Sequence, residues 1–178
     1  MMKFRPCIDI HNGKVKQIVG SSLRDQNDWA AENYVAEQDA FFFAKLYKEL
    51  GLTGGHIIML NPASSPYYEE TKRQAVKALN TYPGGMQIGG GINAENAEEF
   101  LQAGASHVIV TSYVFKDGKI SYENLEKLRK AVGAERLVLD LSCKKRGDLY
   151  YIVTDRWQKF TEVPVTLATL RELGGYCS

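Results

Sequence analysis

Cysteine is scarce in this chain of 178 residues: Cys7, Cys143 and Cys177 are widely spaced and odd in number. That fits reduced thiols in a reducing compartment, the cytoplasm, better than a disulfide framework. Charge of one sign is also missing. A formal net charge of +1 offers nothing to a polyanion, so no nucleic-acid partner is expected. The basic run Lys144-Lys145-Arg146 is short, and reads as a solvated loop or as an electrostatic aid to an anionic substrate. No apolar run approaches the roughly 18 residues of a membrane span. The first strand is expected from about residue 4, which leaves no room for a signal or transit peptide. Histidine is sparse too. His11 and His56 stand apart from each other and from any cysteine pair, so no metal-ligand spacing exists. No Ser-His-Asp or Cys-His arrangement is evident.

What is present is a phrase written twice. Phe4-Arg5-Pro6-Cys7-Ile8-Asp9-Ile10 leads into His11-Asn12-Gly13-Lys14-Val15. Leu137-Val138-Leu139-Asp140-Leu141 leads into Lys144–Asp148 and Tyr150-Tyr151-Ile152-Val153. A strand ending in aspartate, repeated, points to an architecture built by doubling and to an acid–base pair across one pocket.

Around these copies, strand and helix patterns alternate. Strands are expected at 4–10, 14–19, 56–60, 85–88, 107–111 and 137–141, with a hairpin-like extension at 149–154. Helices are expected at 40–50, with Phe42, Phe43, Leu46, Tyr47 and Leu50 on one side, and at 67–80, with Ala75, Val76 and Leu79 inward. Further helices fall at 94–103, from Ser121 to about Gly133 with Leu125, Leu128 and Val132 as its stripe, and from Thr166 to about Leu173. Residues 21–38 lack a period and read as a long loop, a length usually reserved for function or disorder. Unbroken apolar strands between helices imply parallel strands under a helical layer. The glycines follow the third crossover strand rather than the first, which favours a (β/α)8 TIM barrel over a dinucleotide fold. Such a barrel takes about 250 residues, so residues 1–178 read as a single partial barrel domain. Roughly its first five strand–helix units are present and the last three missing.

Two places could carry chemistry. In Gln87-Ile88-Gly89-Gly90-Gly91-Ile92-Asn93, Gly89, Gly90 and Gly91 let backbone N–H groups approach an anion, and the next helix start adds positive potential. Thr111 and Ser112 add hydroxyls at the next strand end. The alternative is a tight turn beside a polar strand end. Asp9 and Asp140 close apolar strands, where burial is costly unless the carboxylate is paired or functional. Each alone could be structural. As a pair beside a phosphate site they read as general base and general acid. Trp157 could stack on a flat ligand ring or pack beneath its loop.

Phe4–Gly20, together with Gln87–Asn93, His107–Phe115, Leu137–Lys144 and Val153–Phe160, resembles the phosphoribosylformimino-5-aminoimidazole carboxamide ribotide isomerases of histidine biosynthesis, in their eukaryotic-type branch. The resemblance covers essentially the whole chain. It implies a (β/α)8 barrel that converts an aminoaldose into an aminoketose, an Amadori rearrangement, without metal or cofactor. The implied substrate is a small molecule with a phosphate at each end. By the same resemblance Asp9 matches the base that takes the C2 proton and Asp140 the acid that helps open the ribose ring. Gly89, Gly90, Gly91, Thr111 and Ser112 match one phosphate site, and Trp157 an aromatic that covers the substrate. Met59-Leu60-Asn61 stands where bacterial-type members carry a strand-two aspartate. The chain stops where a sixth strand is due, so the resemblance implies a truncated, inactive chain that self-associates, derived from a monomeric parent. Two other readings stand beside it: the cyclase subunit of imidazole glycerol phosphate synthase, and a non-catalytic phosphate-binding fragment.

Overall fold

The computed structural model describes residues 2–24, 28–155 and 159–178. The fold is α/β with a mostly parallel sheet, in two compact units. One comprises residues 1–91 and 99–108, the other 92–98 and 109–178.

The first unit opens with β1 (Cys7–His11) and β2 (Lys14–Ile18), antiparallel, with Ile10 opposite Val15 and His11 opposite Lys14. That register leaves Asn12 and Gly13 as a two-residue loop at φ 51° and 70°. Both values are left-handed, as a type I′ turn requires, and Asn-Gly is the pair that adopts it most readily. β3 (Glu32–Val35) then pairs antiparallel with β2. This corrects the expectation of loop throughout 21–38. Glu32-Asn33-Tyr34-Val35 has no alternation of its own; it is a strand because the edge of β2 is available and Lys16 pairs with Glu32.

α1 (Ala40–Glu49) starts at Asp39, whose carboxylate accepts the Phe42 N–H at 3.1 Å. β4 (Gly55–Met59), α2 (Tyr68–Thr81) and β5 (Met86–Gly89) follow. β1, β4 and β5 run parallel, with Ile8, Ile57 and Ile88 level with one another. Ile8, Ile10, Ile57, Met59, Met86 and Ile88 point to one face and are buried. α2 covers that face over β1 and β4, and α1 packs against both α2 and β1. Cys7, Asp9, His56, Ile58 and Gln87 point the other way and keep solvent contact. The expected apolar face of α1 is corrected here. Ala40 and Ala44 are its buried positions, whereas Phe42 and Leu50 are 46% and 61% exposed. Small side chains let the helix approach its neighbours; Phe43 and Tyr47 are half-buried, and Phe42, Leu46 and Leu50 are left outward.

α3 (Ala97–Gln102) and β6 (Val108–Val110) lie where the two units divide. In the second unit, β7 (Phe115–Lys116) and β8 (Lys119–Ile120) form a hairpin closed by Asp117-Gly118. α4 (Tyr122–Val132) is capped by Ser121 and buries Leu125, Leu128 and Val132, as its periodicity predicts. β9 (Leu137–Leu139) is followed by a separate antiparallel sheet of β10 (Cys143–Arg146), β11 (Leu149–Thr154) and β12 (Lys159–Pro164). α5 (Leu167–Leu173) is capped by Thr166. The doubled phrase is therefore doubled in letters and not in pairing. In the first copy the second run, β2, folds back on β1. In the second copy that run is β11, which pairs with β10 and β12.

Candidate functional site

Asp9 is placed by alternation. Ile8 and Ile10 face the helices, which turns Asp9 to the open face of the sheet, half-buried. The Cys7 thiol lies on the same face and donates to Asp9 Oδ1 at 3.0 Å. Crowding by protein atoms, then the bonded carboxylate, push that thiol far above the ordinary thiol range, although the residue keeps exposed surface. As a neutral thiol it serves as the donor to Asp9. Across the parallel strands Asp9 is level with Ile58, and Ile58 with Gly89. The base candidate and the first of the three glycines thus share one level of the first unit.

Gly90 is required by its surroundings. Its φ is 98°, and a Cβ there would stand 2.0 Å from the Met59 carbonyl oxygen. Gly91, at φ 70°, has open space where a side chain would be. The helix expected directly after the glycines starts later, at Ala97. An asparagine turn intervenes. Asn93 Oδ1 accepts the N–H groups of Glu95 and Asn96, and Asn96 Oδ1 accepts that of Asn93. The amides of Asn93, Glu95 and Asn96 are thus bonded within the turn.

In the second unit, Thr111 follows β6 and is exposed, and Ser112 begins a one-turn 3-10 helix. Ser112 lines a cleft of about 230 Å³ with Phe115, Asp117, Thr154, Asp155 and Lys159, and its Oγ accepts the Asp155 N–H at 3.4 Å. Asp140 directly follows β9. Its N–H donates to the Val110 carbonyl at 3.0 Å, which brings it beside the strand end carrying Thr111. Its side chain is exposed and that of Asp9 only half-buried, so the expected cost of burying two carboxylates does not arise. Trp157 lies outside the described residues. Among the described residues, no group of three or more His, Cys, Asp or Glu side chains is placed to hold a metal, and no helix is long and apolar enough to cross a membrane.

A polar cluster that sequence reasoning missed sits directly after Asp9. Asn61, at the end of β4, is only 2% exposed. Its Oδ1 accepts the Asn12 N–H at 2.8 Å and the Thr71 hydroxyl at 2.7 Å. Its amide nitrogen lies 2.7 Å from Asn12 Oδ1 and 3.2 Å from both Asp28 Oδ1 and Ser65 Oγ. Thr71 in turn accepts the Gly13 N–H at 3.1 Å. The available signal was Asn12-Gly13, a hairpin dipeptide whose inward N–H groups need acceptors from elsewhere in the fold.

A family model described as histidine biosynthesis protein matches residues 3–173. The chain is 50% identical over 179 aligned positions to a Medicago truncatula protein named 1-(5-phosphoribosyl)-5-((5-phosphoribosylamino)methylideneamino)imidazole-4-carboxamide isomerase, chloroplastic. The match covers 98% of this chain and 56% of that protein. Proteins named as the same isomerase in Neurospora crassa and Saccharomyces cerevisiae are each 41% identical, over 100% and 99% of this chain. The chain spans 68% and 66% of their lengths, and just over half that of the plant relative.

Proposed function

The chain belongs to the histidine biosynthesis protein family, and from that premise we propose that it carries the isomerase chemistry for which its relatives are named. The substrate is the bis-phosphorylated aminoaldose ProFAR and the product the aminoketose PRFAR. The fold of the reading is a (β/α)8 barrel whose first five parallel strands are β1, β4, β5, β6 and β9. The observation that carries the reading is Asp9 on the open face of β1, two residues before the strand's end rather than at it, level with Gly89 through Ile58 and bonded by the Cys7 thiol.

Asp140, as general acid, gives a proton to the ribose ring oxygen while the C1–O bond breaks, which leaves an iminium at C1. Asp9, as general base, takes the C2 proton, and the electron pair of that C–H bond neutralises the iminium to an enolamine. Ketonisation at C2 completes the rearrangement. Every proton removed is returned and no electron leaves the substrate, so the reaction needs no cofactor. Backbone N–H groups at Gly89, Gly90 and Gly91, with the hydroxyls of Thr111 and Ser112, take one phosphate, and Trp157 covers the substrate. The unpaired thiols favour a reducing compartment. Cytoplasm is the reading here, and the plastid named for the plant relative is its alternative.

Asp9→Asn and Asp140→Asn should each lower kcat by at least about 10²-fold, the scale of one general acid or base, with KM moving much less. Steady-state kinetics on ProFAR measure this. Near-normal turnover in either variant would make that aspartate structural.

A further inference from the structure

We propose that Asn61 is a positioning residue that locks the turn after Asp9, and that it does so only as a neutral amide able to donate and accept at once. This rests on the isomerase reading for its kinetic consequence, and on the first unit alone for its geometry.

The amide's orientation is fixed by its partners. The Asn12 N–H can only donate, so the atom 2.8 Å from it is the oxygen. That oxygen's second acceptor position takes the Thr71 hydroxyl, and Thr71 passes the bond on to the Gly13 N–H. The nitrogen has two protons and three acceptors in reach, the Asn12 side chain being nearest at 2.7 Å. Asn12 Nδ2 then donates to the Asp28 carbonyl at 3.1 Å. One buried carboxamide thereby ties the Asn12-Gly13 turn, the Asp28 segment and α2 together, and that turn begins three residues after Asp9, directly beyond the end of β1. A base must sit within a few tenths of an ångström of its working position, and misplacement by about 1 Å can cost about 10²-fold in rate.

Asn61→Asp keeps the shape and removes the donor. Asp28 then faces the new carboxylate, with Glu70 of α2 beside Gly13 and His11 at the end of β1 as the other titratable neighbours. Repulsion from Asp28 and burial hold the introduced carboxyl's pKa up, and its protonated form regains a donor. In Asn61→Asp, amide hydrogen exchange at Asn12 should quicken by about tenfold, one hydrogen bond's worth, while Ile57 and Met59 stay protected. The variant's kcat should fall by about 10²-fold at pH 8 with KM little changed, and the ratio of variant to parent kcat should climb as pH falls. Thr71→Val, a milder change, should quicken exchange at Gly13 and leave Asn12 slow. Unchanged exchange at Asn12 would overturn the proposal. So would faster exchange with a kcat ratio independent of pH, since the amide would then be structural only. If the parent chain does not turn over ProFAR, the isomerase reading fails, and the two exchange measurements decide the role of Asn61.

Discussion

The two aspartates that the sequence writes in nearly the same words stand in different surroundings. Asp9 sits on a five-residue strand between buried isoleucines, and its strand continues into a turn bonded by Asn61 and Thr71. Asp140 follows a three-residue strand, is exposed, and leads to a small sheet whose first strand is exposed along its length. The proposed base stands half-buried on a strand whose other face is core, whereas the proposed acid stands exposed just past its strand. The difference teaches that a repeated run of apolar residues and aspartate brings a carboxylate to a strand but fixes neither its place along that strand nor what holds it there.

The comparison breaks most sharply at Gly90. Gly90→Ala places a Cβ at 2.0 Å from the Met59 carbonyl oxygen in a left-handed backbone, so the first unit should lose about 4 kcal/mol or more, measured by denaturant unfolding. A soluble, normally stable variant would mean that the level shared by β4 and β5 is soft. Core truncations come next. Phe100→Ala, at a fully buried ring of the first unit, should cost about 3–5 kcal/mol. Ile152→Ala, on β11, should cost about 2–5 kcal/mol and raise amide exchange through 143–164 while 86–89 stays slow. Equal exchange changes in both segments would remove the distinction between a braced and an open region.

The smallest effect is expected at Asp39→Ala, which removes the cap of α1 and an exposed ion pair with Lys77. About 1 kcal/mol is expected, nearly all from the cap, because solvent screens the pair. The hydrogen bond from Lys77, more than the Phe42 N–H, holds the Asp39 carboxyl below its ordinary value of 3.8 against the opposing effect of burial. A depressed carboxylate stabilises the fold above its unfolded pKa and loses that contribution as pH falls through the folded value. The difference in stability between parent and variant should therefore be full at neutral pH and shrink below about pH 4. A difference that persists at pH 2 would assign it to helix propensity instead.

Much of the frame was legible in the sequence. The stripe Leu125, Leu128 and Val132 and the caps Ser121 and Thr166 stand where their spacing puts them. Periodicity located α1 but not its buried side, because which face is covered depends on neighbours far along the chain. β3 was illegible because its pairing with β2, and not its own residues, makes it a strand. At the site, the place of Asp140 just after its strand and the glycines after β5 could be read directly, whereas β1 runs two residues past Asp9 because Ile10 and His11 still pair with β2. The cluster at Asn61 and Thr71 could not, since it joins residues up to 58 positions apart and each looks ordinary alone.

The same turn has a bearing on chemical ageing. Asparagine followed by glycine deamidates when the glycine nitrogen attacks the side-chain carbonyl and ammonia leaves. Here the Gly13 N–H is bonded to Thr71, and the Asn12 carboxamide is held at its oxygen by Asn61 and at its nitrogen by the Asp28 carbonyl, so the attacking nitrogen is engaged and the side chain is kept from turning onto it in the folded chain, and both are released when it unfolds. Each excursion to the unfolded state thus exposes Asn12 to a lasting covalent change, and the combined aspartate and isoaspartate content at position 12 of a stored sample becomes a record of how long its molecules have spent unfolded.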